Sequence, residues 1–276
     1  MNNLHRELAP ISDAAWAQIE EEAARTFKRH LAGRRVIDVI GPSGFATSAV
    51  GTGHIRPLDP PGTGIKANQR DVQAMVEFRV PFDLDRQAID DVERGANDSD
   101  WQPVKDAAKE LAFAEDRAIF EGYAAGGIGG VHAALSNPAL TLPADVRRYP
   151  EVIAKALTEL RLEGVDGPYV LLLGAEAYTK LSSGADNGEP VFDRVARMVK
   201  DQVLWAPALA LAGGYVLSAR GGDFEMHIGQ DVSIGYLSHT DSKVTLYLQE
   251  TFTFLMLTAE AGVALRPPEI MASAPA

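Results

Sequence analysis

Apolar side chains along residues 12–31 recur at steps of three and four positions, which is the period of an amphipathic helix. Ser12 precedes this pattern as a candidate N-cap, and Gly33 follows it as a residue suited to end a helix. We therefore predict a helix whose apolar face packs either on the chain's own core or against another chain. That face comprises Trp16, Ile19, Ala23, Phe27 and Leu31.

The same period is strongest over residues 103–122, which we predict to form the longest helix. Phe113 and Phe120 widen its apolar surface to a second face, so we expect contacts on two sides. Glu115 falls on the apolar stripe although it carries a charge. Shorter helices are predicted over residues 151–162, 175–181 and 191–200.

Alternating or continuous apolar runs predict strands elsewhere, most of them in the last third of the chain. Because helical and strand patterns occupy largely separate regions, the predicted class is α+β. The predicted strands are residues 34–40, 71–82, 169–173, 214–219, 224–228, 232–236 and 244–257.

Glycine and proline are interleaved along residues 41–69, with short Val and Ile segments between them. This composition is typical of an extended hairpin or arm, which holds no core of its own. A long arm is unusual in a compact monomer, so we expect it to lie on a neighbouring subunit.

Composition limits the classes of protein that fit the chain. With 46% hydrophobic and 23% charged residues, the 276-residue chain can bury a sizeable core. A net charge of −12 argues against a nucleic-acid binder that neutralises phosphates. The absence of cysteine excludes disulfides, cysteine nucleophiles and cysteine-based metal sites. With neither a signal-like segment nor a membrane-length apolar run, we expect a soluble cytoplasmic protein.

No motif for catalysis is present in the sequence. The six histidines are scattered without metal-ligand spacing, and no serine lies in a nucleophile elbow. The GGIGG run at residues 126–130 closes a helix, so it predicts a chain reversal and not a dinucleotide loop. RGGD at residues 220–223 predicts a hairpin turn. We therefore predict a protein that is not an enzyme, with no metal and no cofactor.

Two groups of charges have structural interpretations. Glu110, Glu115 and Asp116 are expected to pair with Arg117 across their helix or with neighbouring chains. An acidic group at residues 90–93 fits either a divalent cation or, as we favour, a solvated helix face.

Several short segments, in order along residues 8–265, together resemble the encapsulin (linocin-type) shell proteins, which share the fold of the HK97 phage capsid. The segments are LAP (8–10), ARTFK (24–28), GRRVIDV (33–39), IDDVERG (89–95), FAEDRAIFEG (113–122), GVDGPY (164–169), RGGDF (220–224), GQDVSIGY (229–236) and LQETFTF (248–254).

The resemblance implies an α+β, HK97 capsid-like fold in three parts. Residues 1–45, 81–133 and 221–276 would form a peripheral domain, residues 46–80 an extended loop and residues 134–220 an axial domain. It also implies a self-assembling icosahedral shell of a bacterial nanocompartment, with roughly 60 chains in the smallest case. A bacteriocin-like or peptidase activity and a viral major capsid protein remain the alternatives.

The resemblance further implies a cargo enzyme, either a dye-decolourising peroxidase or a ferritin-like iron protein. Its C-terminal peptide would dock between the first helix and the peripheral strands. Apolar residues would bury the peptide, and Arg34 would bind its carbonyls or carboxylate. The alternative is that the whole set belongs to the core or to an interface. By position the set is Phe27, Leu31, Arg34, Val36, Asp38, Ile234 and Tyr236.

Two further assignments follow from the resemblance. A polar loop would surround a five-fold pore, where repeated carboxylates favour cations. Some family members bind flavin at a tryptophan for which this chain has Gln87, so we predict no flavin. The pore-loop residues are Ser182, Ser183, Gly184, Asp186, Asn187, Gly188 and Glu189.

Overall fold

The computed structural model describes residues 3–209 and 213–267. Within them it has these helices: α1 (Asp13–His30), α2 (Arg86–Glu93), α3 (Gln102–Phe120), α4 (Gly130–Ala134), α5 (Tyr149–Leu162), α6 (Ala175–Ser183) and α7 (Val191–Met198). The strands are β1 (Asp38–Ile40), β2 (Ala49–Leu58), β3 (Ala67–Ala74), β4 (Val76–Asp85), β5 (Leu140–Thr141), β6 (Tyr169–Leu173), β7 (Ala185–Asp186), β8 (Glu189–Pro190), β9 (Val203–Trp205), β10 (Gly214–Ser218), β11 (Phe224–Ile228), β12 (Ser233–His239), β13 (Lys243–Met256) and β14 (Gly262–Arg266).

The long helices agree with the sequence prediction. The Ser12 hydroxyl accepts a hydrogen bond from the Ala15 N–H at 3.3 Å, which caps α1. Helix α3 is buried on two sides, as its two apolar faces predicted. Leu111 packs in a core with α1, whereas Ile119 and Phe120 pack in a second core. Both apolar faces of α3 therefore find packing partners within one chain.

Two sheets organise these cores. In the first, the long strand β13 pairs with β4 along one edge and with β11 and β12 along the other, and β1 extends β11 in parallel. The second sheet has the order β5-β14-β10-β6-β9 and packs among α5, α6 and α7. No described helix is long and apolar enough to span a membrane.

The arm is a hairpin of β2 and β3, which among the described residues pair only with each other. A single strand over residues 71–82 was predicted, and this is wrong. The chain changes partner at Met75, because β3 pairs with β2 whereas β4 pairs with β13. The alternation of side chains continues through the change, so periodicity alone does not reveal it.

The strand predicted over residues 34–40 is also wrong in its first half. Gly33–Arg35 forms a 3-10 turn, and the strand begins only at Asp38. The Asp116 carboxylate accepts the N–H groups of Ala32 and Gly33 at 2.9 and 2.8 Å, which holds the chain in this turn. A long-range contact of this kind overrides local β propensity.

The glycine motifs adopt the predicted reversals. Gly127 and Gly130 have φ of 73° and 70°, which fits a turn after α3. At the second motif, Gly221 and Gly222 have φ of 84° and 77° between β10 and β11. The first run leads into the short helix α4 but follows the helix α3, whereas a dinucleotide loop follows a strand, and the second run leads into the strand β11.

Candidate functional site

A groove of about 440 Å³ lies between α1 and β12. Its floor is apolar and its rim is polar. Its volume is large enough to hold a few side chains of a bound peptide. At the rim, Arg6 forms an ion pair with Glu20 at 2.5 Å. The groove is lined by Leu4, Arg6, Glu20, Ala23, Ala24, Phe27, Arg34, Asp231, Val232, Ser233, Ile234 and Leu248.

The groove forms because α1 presents small residues opposite an edge strand. Ala23 and Ala24 leave space beside Phe27, whereas the strand contributes Ile234. Among the described strands, β12 pairs only with β13. At its other edge the Tyr236 N–H donates to the Leu4 carbonyl at 2.8 Å. An edge strand beside an apolar groove is suited to binding an extended peptide.

Arg34 lies at one end of the groove, and its donors already have partners within the chain. Its Nε and Nη2 donate to Glu115 at 3.0 and 2.6 Å, and Nη2 also donates to Glu250 at 2.9 Å. Its Nη1 donates to Asp231 at 2.7 Å, and its guanidinium lies 5.2 Å from the Phe27 ring centre. A direct bond from Arg34 to a peptide would have to replace the exposed Asp231 contact.

Three fully buried carboxylates surround this arginine: Glu115, Asp116 and Glu250. Burial raises the pKa of Asp116 to about 7, although the N–H groups of Gly33 and Ala32 act in the opposite direction. Burial, and then the nearby charge of Glu115, raise the pKa of Glu250 well above its usual range. Because one guanidinium does not balance three buried carboxylates, burial here favours the protonated forms of Asp116 and Glu250.

The pairing predicted for Glu115 and Asp116 is wrong. Both side chains point into the protein and contact Arg34 or the 3-10 turn, whereas Arg117 is exposed and donates to the Phe113 carbonyl. The position of Glu115 on the apolar stripe was the available signal, because a charged residue at a core position needs a buried partner.

The structure brings together only part of the predicted peptide-binding set. Phe27, Arg34 and Ile234 line the groove. Leu31 and Tyr236 pack in the adjoining core without lining it. The remaining two predicted residues lie elsewhere, because the 3-10 turn redirects the chain after Arg34.

Val36 and Asp38 are the two residues outside the groove. Val36 packs in the second core, and the Asp38 carboxylate accepts the Gly222 N–H at 2.5 Å. Sequence reasoning did not select Ala24 and Leu248, although both lie in the segments that carry the resemblance.

The predicted pore loop is partly helical. Ser182 and Ser183 end α6, and the rest forms the small hairpin of β7 and β8. Its carboxylates have arginine partners on α7. Asp186 accepts from Arg194 at 2.9 Å, and Glu189 accepts from Arg197 at 2.5 Å. These ion pairs reduce the negative charge that the loop was expected to present.

The hairpin turn of this loop carries Asn187 and Gly188, both with positive φ (50° and 87°). These two residues and Gly184 determine the backbone path of the loop. Asp186 and Glu189 carry its negative charge. The described residues contain no group of three or more His, Cys, Asp or Glu side chains that could hold a metal ion.

The acidic group at residues 90–93, for which the sequence left a divalent cation or a solvated helix face open, lies on α2. The Asp85 side chain caps this helix by accepting the Gln87 N–H at 2.9 Å. Gln87 Nε2 donates to Asp91 at 3.0 Å, and Arg94 also contacts Asp91. These contacts are those of a solvated helix face.

Comparison with known families gives one consistent result. The family model described as "Encapsulating protein for peroxidase" matches residues 1–253. Type 1 encapsulin shell proteins of Rhodococcus erythropolis and Mycobacterium tuberculosis are 60% and 58% identical to the chain over 265 residues. The alignment covers 96% of this chain in both cases, and 100% and 99% of the two relatives.

Solved structures with low sequence identity show the same fold. A virus-like particle from Pyrococcus furiosus has a TM-score of 0.64 at 13% identity, covering 91% of this chain and 99% of that one. A protein of Microbacterium phage Oxtober96 has a TM-score of 0.57 at 13% identity, covering 87% and 91%. The chain belongs to the encapsulin shell protein family and has its α+β, HK97-like capsid fold.

Proposed function

We propose that this chain assembles into an icosahedral shell that encloses a cargo enzyme bound in the groove between α1 and β12. The groove carries the proposal, because it joins an apolar floor to the edge of β12 opposite β13, within a protein of a shell-forming family. No catalytic role is proposed for the chain itself.

Self-assembly is supported by the composition of the arm. Ile55, Leu58 and Val72 are 58%, 47% and 55% exposed on a hairpin that has no core. Apolar side chains at this density on a two-stranded ribbon favour burial against another copy. A closed shell of roughly 60 chains would cover every arm equivalently.

The two sheets support the proposed division of the chain. Residues 1–45, 81–133 and 221–276 would form the peripheral domain, and residues 134–220 the axial domain with its five-fold pore loop. The arm occupies most of the proposed extended loop at residues 46–80, but β4 already joins the first sheet at Val76. The ion pairs of Asp186 and Glu189 make the pore only weakly selective for cations.

For the cargo we propose a peroxidase of the dye-decolourising type, with a ferritin-like iron protein as the alternative. The family description refers to encapsulation of a peroxidase. An apolar C-terminal peptide would extend along the edge of β12 beyond the Leu4 contact and place side chains against Phe27, Ile234 and Leu248. The proposed location is the bacterial cytoplasm.

The groove is tested by filling it without burying a charge. Ala24 is exposed and lines the groove, so Ala24→Leu occupies the peptide's space while the fold is retained. We expect cargo with the C-terminal peptide to lose co-purification with Ala24→Leu particles. Phe27→Asp gives a second, stronger block. Leu162→Asp, at a residue 76% exposed on α5, is the matched control and retains loading.

Normal cargo loading by both groove variants, in particles of normal size, would overturn the binding-site assignment. Loss of particles with Leu162→Asp as well would show that the assay reports assembly and not the groove. A viral capsid protein shares the fold, but the relatives at 60% and 58% identity are encapsulin shell proteins, which favours the shell.

A further inference from the structure

Helix α1 borders a second cleft, of about 390 Å³, on the side that faces α3. The cleft is strongly basic although the chain has a net charge of −12. Arg25 and Arg29 enter it from α1, and Lys105 and Lys109 enter it from α3. The remaining lining residues are Glu22, Thr26, His30, Gln102 and Asp106.

The two carboxylates of this cleft are already engaged. Glu22 is buried, contacts Arg25 and accepts the Thr26 hydroxyl at 2.9 Å. Asp106 accepts from Gln102 Nε2 at 2.8 Å. Within the described chain, Arg29 and Lys105 form no ion pair with a carboxylate. The cleft therefore presents uncompensated positive charge at close range, where salt screens it least.

Aromatic rings adjoin the basic end of the cleft. The His30 ring lies 5.8 Å from that of Phe113 and 6.1 Å from that of Trp205. Lys109 Nζ lies 5.4 Å from the Phe113 ring centre. Trp205 is 36% exposed, so part of this residue is open to solvent beside His30.

His30 is held in place within this group. Its Nδ1 donates to the Thr26 carbonyl at 2.8 Å, which fixes the ring at the junction between the cations and Trp205. Cations bind phosphate, and an exposed indole stacks on a planar base. His30 lines the cleft that holds the cations and also adjoins the ring of Trp205. This arrangement suits a ligand that carries both a phosphate and an aromatic ring.

We propose that this cleft binds a free nucleoside phosphate, with its phosphates at Arg29 and Lys105 and its base stacked on Trp205. The cleft volume falls within the range of small-molecule sites. A long nucleic acid is disfavoured, because the rest of the acidic chain repels a polyanion that extends beyond the cleft. The site is distinct from the peptide groove and does not depend on it.

The test is a titration of the purified full-length protein with ADP, monitored by calorimetry and by tryptophan fluorescence, in which the Trp205→Phe variant identifies the signal of Trp205 beside Trp16 and Trp101. We expect saturable binding of one ADP per chain, weakened at least tenfold by Arg29→Ala with Lys105→Ala. Trp205→Ala weakens binding about fivefold, and Trp205→Phe restores most of that loss. Lys28→Ala removes a cation of the same helix outside the cleft and is the matched control, with unchanged affinity.

Inorganic pyrophosphate separates the two halves of the site, and we expect it to bind at least fivefold more weakly than ADP. Equal affinities would overturn the stacking of the base. Absence of saturable binding at about 1 mM ADP would overturn the whole site. Equal weakening of ADP binding by Lys28→Ala would also overturn the site, because it would indicate non-specific electrostatic attraction of ADP to α1.

Tighter binding of a single-stranded oligonucleotide than of ADP would contradict a free nucleoside phosphate as the ligand class. Particle images of each variant confirm intact assembly.

Discussion

Helix α3 and the arm are both long segments, but they differ in what surrounds them. Leu111, Ile119 and Phe120 of α3 are fully buried within one chain, whereas Ile55 and Val72 of the arm are more than half exposed. The fold of the subunit therefore depends on α3, and we propose that assembly depends on the arm. Changes in the two regions should consequently separate folding from shell formation.

The largest expected effect is the loss of the shell on deletion of residues 51–64. This deletion removes most of β2 and leaves both cores unchanged. We expect size-exclusion chromatography to show small species with the helical circular dichroism of the intact chain. Intact particles from the deleted chain would show that assembly does not require the arm. Ile55→Ser with Val72→Ser is the milder companion, with assembly weakened but not abolished.

The second effect concerns Arg34, the partner of the buried carboxylates. Arg34→Ala leaves Glu115 and Glu250 without their cation, and loss of one partner of a buried pair costs about 3–5 kcal/mol. We expect a markedly lower thermal unfolding midpoint, measured by calorimetry. Glu250→Gln keeps a side-chain oxygen that can accept from Arg34 and should lower the midpoint far less. An equal loss in both variants would contradict the charge balance described for the cluster.

The third effect tests α3 directly. Leu111→Ala creates a cavity in a fully buried site, which costs about 2–5 kcal/mol. We expect the unfolding midpoint to fall while particles of normal size still form at low temperature. Loss of particles with an unchanged midpoint would place Leu111 in an interface and contradict the division between α3 and the arm.

The smallest effect is a dependence of stability on pH at Asp116. Burial raises its pKa to about 7, whereas the unfolded chain has a value near about 4. The folded state binds the proton more tightly, so its contribution to stability is complete below about pH 4 and is lost as pH rises to about 7. The unfolding midpoint of the unmodified chain should therefore fall relative to that of Asp116→Asn over this interval. A constant difference between the two would contradict the raised pKa.

The sequence predicted the parts of the fold that local pattern determines. The bounds of β6 and β11 match their apolar runs, and α1 and α3 match their helical periods within two residues at each end. The arm followed from its glycine and proline content. The change of partner at Met75 could not be predicted, because side-chain alternation is the same on both sides of it.

The candidate site was predictable only in part, and for the same reason. Phe27 and Ile234 are apolar residues of a helix and a strand, and the resemblance placed them together. The environment of Arg34 depends on Glu115 and Glu250, which lie 81 and 216 positions away in the chain. Local periodicity carries no information about contacts at such separations.

We propose that the chain reaches its stable state only with further copies of itself. The mass of the purified full-length protein, measured by light scattering on dilution and supported by negative-stain images, tests this proposal. For roughly 60 chains of 29.6 kDa we expect closed particles of about 1.8 MDa that persist when diluted. A stable, folded species with the mass of one or a few chains would contradict the claim.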